Sequence, residues 1–83
     1  MKLPTVNQPV ILKIKGEKHT AVCTDLFDGG CGYYFDATFS KKIRYKFSPG
    51  EQCALPELGE NCLADFVSYP TRENWKVRFL ISK

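Results

Sequence analysis

Two-residue alternation of apolar and polar side chains predicts an all-β fold for this chain, a small six-stranded antiparallel β-barrel with little or no helix. Three observations carry that expectation. No stretch of ten or more residues repeats its apolar positions every 3.6 residues, alternation recurs in short runs, and turn residues separate those runs at close spacing. Strands with one apolar face each are buried most simply by curling the sheet closed, which also removes unpaired edges.

The first strand is read from Val10, Leu12 and Ile14, which alternate with Lys13 and Lys15 before Gly16-Glu17-Lys18 turns the chain. Thr20 to Leu26 forms the second, Asp28-Gly29-Gly30 the next turn, and Cys31 to Phe35 opens the third. Ile43, Tyr45 and Phe47 alternate with Lys42, Arg44 and Lys46 as a fourth strand, closed by the turn Ser48-Pro49-Gly50. Glu51 to Asn61 carries prolines and glycines and reads as loop, with at most a helical turn or a brief extended piece at Gln52 to Leu55. Cys62 to Tyr69 makes the fifth strand and Pro70 to Asn74 a connecting turn. The sixth has Trp75, Val77, Phe79 and Ile81 on one face and Lys76 and Arg78 on the other, so the last two strands form a hairpin. Trp75, Phe66 and Phe79 are expected in the core.

Eighty-three residues form one domain, 1–83, near the size at which a chain hides only about 60–65% of its unfolded surface, so stability is expected to be modest. Hydrophobic residues at 43% and charged residues at 25% are globular proportions and argue against disorder. The longest apolar run, Val10 to Leu12, is far short of the roughly 20 residues of a membrane span, and no charged-then-apolar leader opens the chain. The sequence therefore reads as cytoplasmic, with no membrane partner. A net charge of +3 does not by itself mark a nucleic-acid binder.

Cys23, Cys31, Cys53 and Cys62 contain no C-x-x-C pair, and His19 is the single histidine, so no metal site is expected. In a reducing compartment the four thiols are expected free, although Cys23 with Cys31 and Cys53 with Cys62 each bracket a turn and would close small rings if oxidised. Asp25 and Asp28 lack any accompanying nucleophile–base spacing. Enzymatic activity and a cofactor are not expected.

The succession P-V-I-L-K-I-K-G, T-A-V-C-T-D-L-F-D-G-G-C-G, L-A-D-F-V-S-Y and W-K-V-R-F-L, across residues 9 to 82, resembles a PilZ domain. That resemblance implies a bacterial six-stranded barrel and the ligand cyclic di-GMP. The family's loop pattern [DN]-x-S-x-x-G is met by Asp25 and Gly30, with Phe27 in the serine position; Asp28 and Gly29 complete the candidate ligand loop. Its second element, R-x-x-x-R ahead of the first strand, is missing: 1–9 holds Lys2 and no arginine. A lysine lacks the planar two-pronged donor that grips phosphate and stacks on guanine. The chain thus resembles a degenerate member, for which cyclic di-GMP binding is expected to be weak or absent.

A non-enzymatic adaptor that binds a protein is the expected function, with homodimerisation through a strand edge as a further expectation. The alternative is a barrel for single-stranded nucleic acid, in which Lys42, Arg44, Lys46, Lys76 and Arg78 make a basic face, extended by Lys13 and Lys15 if their strands adjoin. Tyr33, Tyr34, Tyr45 or Tyr69 would then stack on bases.

Overall fold

A computed structural model describes residues 2–40, 47–73 and 75–83. Its strands are β1 (Pro9–Ile14), β2 (Glu17–Asp28), β3 (Gly32–Phe39), β4 (Gln52–Ala54), β5 (Leu63–Ser68) and β6 (Lys76–Ser82). They close in the order β1-β2-β3-β6-β5-β4, every neighbouring pair antiparallel, with no helix among the described residues. The expected all-β barrel is the fold observed.

Its strands differ in detail from the sequence reading. The proposed strand through Lys42, Arg44 and Lys46 lies outside the described residues, and the fourth strand is instead the short extended piece at Gln52–Ala54. The first turn is tighter than Gly16-Glu17-Lys18. Ile14 pairs directly with Glu17, leaving Lys15 and Gly16 as a two-residue loop with φ of 51° and 86°. Positive φ at both positions is the primed turn that matches strand twist, and glycine lowers its cost. β2 consequently begins at Glu17 and runs twelve residues, through Asp25 and Phe27 to Asp28.

Inward side chains form one core. Leu26, Phe35, Phe79 and Phe66 stand side by side across β2, β3, β6 and β5. Phe35 and Phe79 stack at 5.3 Å, and Phe47 stacks on Phe66 at 5.2 Å while meeting Phe79 edge-on. Such aromatic pairs add about 0.5–1.5 kcal/mol beyond their buried area. Leu12, Ile14, Cys23, Cys53, Leu55, Ala64 and Val77 complete the filling.

Trp75 departs from the expected core. Val77, Phe79 and Ile81 are buried as the alternation requires, but Trp75 is 46% exposed. It precedes the first residue of β6 and sits at the barrel rim, where its carbonyl accepts the Phe39 N–H at 2.7 Å. The backbone is held there, and the indole lies outside, lining a shallow cleft with Thr38, Thr71, Glu73 and Lys76.

Candidate functional site: the outer face of β2, β3, β6 and β5

Two β-bulges shape this face. On β2 the register slips between Cys23 and Asp25, so Cys23 faces Ala37 inside, Asp25 faces Asp36 outside, and Leu26 returns inward against Phe35. The bulge shifts the parity of the strand and turns Phe27 outward, where unbroken alternation would bury it. The Cys23 thiol donates to the Asp25 carbonyl at 3.4 Å and steadies the bulge; burial raises its pKa, which keeps it protonated. On β5 a second bulge lies between Phe66 and Ser68, and Ser68 stands opposite Arg78.

Between the bulges, Arg78 and Asp36 form a two-pronged pair. The guanidinium Nε donates to Oδ1 at 2.8 Å and Nη2 to Oδ2 at 3.0 Å. Asp36 is 3% exposed, a buried carboxylate that could not remain charged alone, and Arg78 is its counterion. The hydrogen bond that Arg78 donates to Asp36 raises the Arg78 pKa further above its already high value. The Thr24 hydroxyl donates to the Asp36 carbonyl at 3.3 Å and lies 3.4 Å from that of Thr38.

Arg78 also lies over the Phe27 ring, 5.1 Å from its centroid, and Phe27 stacks on Tyr34 at 5.3 Å. Guanidinium, phenyl and phenol are therefore locked in one assembly, with Phe27 still 39% exposed. These three line a cleft of about 300 Å³ with Val67 and Ser68. Val22 and Thr38, paired across β2 and β3, and Thr38 and Lys76, paired across β3 and β6, continue the face toward Trp75.

The residues singled out by sequence separate into three groups. Asp25, Phe27 and Asp28 belong to strand β2, not to a loop; only Gly29 to Cys31 connects β2 to β3. Asp28 is already engaged: its carboxylate accepts the Gly30 N–H at 2.8 Å and the Lys83 ammonium at 3.1 Å, and both lower its pKa, the backbone hydrogen bond more. Gly30 has φ of 88°, whereas Gly29 does not; a Cβ at Gly29 would overlap the Tyr34 ring. The proposed ligand loop is thus a short turn, and Phe27 alone of its residues enters the cleft.

The basic face is divided. Lys76 and Arg78 share the outer side of β6, but β6 neighbours β3 and β5 while β1 neighbours β2 and β4, so Lys13 and Lys15 do not extend it. Lys42, Arg44, Lys46 and Tyr45 lie outside the described residues. Tyr34 is on the face, Tyr33 lies under the Lys83 ammonium at 5.0 Å, and Tyr69 packs on Phe66 and accepts the Phe47 N–H. Asp36 and Val67 were missed by the sequence reading: the β3–β6 register that sets Asp36 opposite Arg78 and the β5 bulge beside Val67 leave no local mark in the sequence.

All four cysteines are free thiols. Cys23 is buried opposite Ala37 and Cys31 is exposed beyond the end of β2, so the two do not face each other across the hairpin. No group of three or more metal-ligating side chains occurs among the described residues. Comparison with family models, curated proteins and solved structures finds no match to this chain.

Proposed function

We propose that this chain is a small non-enzymatic binding module, an adaptor whose partner is a protein that docks on the outer face of β2, β3, β6 and β5. The observation that supports this most is Phe27, large, apolar and exposed, yet held rigidly between Tyr34 and Arg78. Aromatic and arginine side chains fixed in this way are the anchors that dominate protein interfaces, since little rotamer entropy remains to be lost on docking. A standard interface covers about 800 Å² per partner, roughly 15% of the 5324 Å² surface of this molecule. That extent exceeds one cleft, so a single partner would span from Phe27 and Val67 to Val22 and Trp75.

The charges on the face favour a protein over nucleic acid. Arg78 is neutralised by Asp36, and the face carries Asp25 as well as Lys76, so the described residues there offer no net positive track for phosphates. A PilZ-like ancestry, bacterial and cytoplasmic, fits the closed barrel together with Asp25 and Gly30. With no arginine pair ahead of β1, cyclic di-GMP binding is weak or absent on that reading. Affinity capture compared between the unmodified chain, Phe27→Ser, Val67→Lys and Lys13→Gln tests the proposal. One protein should be retained by the unmodified and Lys13→Gln chains and lost from the other two. Oligonucleotide binding that weakens steeply with salt, and loses slope when Lys76 becomes glutamine, would instead establish the nucleic-acid reading.

A further inference from the structure

A second cavity lies away from this face's aromatic anchors, at the β4–β5–β6 side of the barrel. It measures about 500 Å³, within the range of small-molecule sites. Leu58, Cys62, Leu63 and Ile81 supply apolar lining, while Lys2, Gln52, Asn61, Asp65 and Ser82 supply polar groups. No hydrogen bond or ion pair within the described residues engages any of those five polar side chains. Three polar groups on other parts of the barrel are committed internally: Asp36 to Arg78, Asp28 to Lys83, Tyr69 to the Phe47 N–H. Here a cation, an anion and two carboxamides line one concavity with their polar ends open to solvent, available to a ligand.

We propose that this cavity binds a small apolar zwitterion of dipeptide size. The Asp65 carboxylate receives the ligand's ammonium group, the Lys2 ammonium its carboxylate, and the Gln52 and Asn61 amides its peptide group. Leu58, Leu63 and Ile81 take its hydrocarbon side chains. Opposite charges on one lining make the ligand's own separated charges the complementary partner, whereas a simple anion or cation satisfies one wall and is repelled by the other. The volume leaves room for more than a single amino acid. This site is independent of the protein-docking face and does not rest on that reading.

L-leucyl-L-leucine is the probe, titrated into the unmodified chain while backbone amide signals are followed by NMR. Saturable shifts are expected at Cys62, Leu63, Asp65 and Ser82. N-acetyl-leucyl-leucine, without the ammonium, and leucyl-leucinamide, without the carboxylate, should each bind at least about tenfold more weakly, the scale of a charged hydrogen bond lost. Asp65→Asn should abolish the penalty for acetylation and leave that for amidation, and Lys2→Gln should do the reverse. The ligand modifications test the proposal in the unmodified protein, whatever the variants do to folding. Equal affinity for all three ligands, or no saturable shift at millimolar leucyl-leucine, overturns it.

Discussion

Arg78 closes on Asp36 through two parallel hydrogen bonds of 2.8 and 3.0 Å, and the two residues are unequally exposed: 31% of the arginine side chain meets solvent against 4% of the aspartate's. The asymmetry gives the two truncations different costs. Removing Arg78 strands a buried carboxylate; removing Asp36 leaves a guanidinium that solvent can reach.

Arg78→Leu should therefore destabilise more than Asp36→Leu. The first loss is expected near the lower end of the roughly 3–5 kcal/mol seen when a buried pair is broken, and the double variant should recover part of it. Urea unfolding of the three variants checks this. Equal losses would show that Asp36 is solvated in solution.

Gly29 is required by packing rather than by backbone conformation, because its φ is ordinary while an added Cβ would overlap Tyr34. Gly29→Ala should cost about 1–3 kcal/mol, as overpacking does, and displace Tyr34 from the Phe27 stack. Loss of ring-current shifts between those two rings, observed by NMR, would accompany the destabilisation. Unchanged shifts with unchanged stability would count against the turn geometry described.

The thiols should react in order of exposure. Cys31 is exposed and should be alkylated first, half-buried Cys62 next, and buried Cys23 and Cys53 only on unfolding. Burial pushes the Cys53 pKa up to about 12 from an ordinary 9.0. Because the folded value is raised, the unfolded chain loses its proton first: stability is unaffected below pH 9.0 and declines as pH climbs toward about 12. Cys53→Ala should lower overall stability but flatten that alkaline slope. Peptide mapping after timed alkylation and denaturation across alkaline pH give the two readouts.

The Asp28 carboxylate works in the opposite sense. Its pKa is lowered by the Gly30 N–H and by Lys83, so its contribution is present above the ordinary carboxylate value near 3.9 and is lost as pH falls through the folded value. Asp28→Asn should shrink the acid-side dependence of stability. An identical acid profile would mean the turn holds without that charge.

Alternation made the barrel legible because β1 and β6 bury every second residue, as Val77, Phe79 and Ile81 illustrate. The bulges were not legible. Nothing in T-D-L-F distinguishes a strand that keeps its parity from one that changes it, so Phe27 could not be assigned to the surface; nor does the sequence give the β3–β6 register that sets Asp36 opposite Arg78, forty-two residues away. Trp75 was misplaced for a related reason: period two continues past the physical end of β6, where the rim no longer encloses a side chain. Its fluorescence should be red-shifted and quenched by iodide. β4 was legible only as a brief extended piece within a loop, because three residues are too few to show a period.

Whether the outer face is a protein interface is tested most directly by site-specific photo-crosslinking. A benzoyl-phenylalanine placed at Phe27 should form one discrete adduct with a single protein in extracts of the source cells, while the same group at Lys13, exposed on β1, should not. Adducts with nucleic acid at position 27, or an indistinguishable spread of proteins at both positions, would contradict the account.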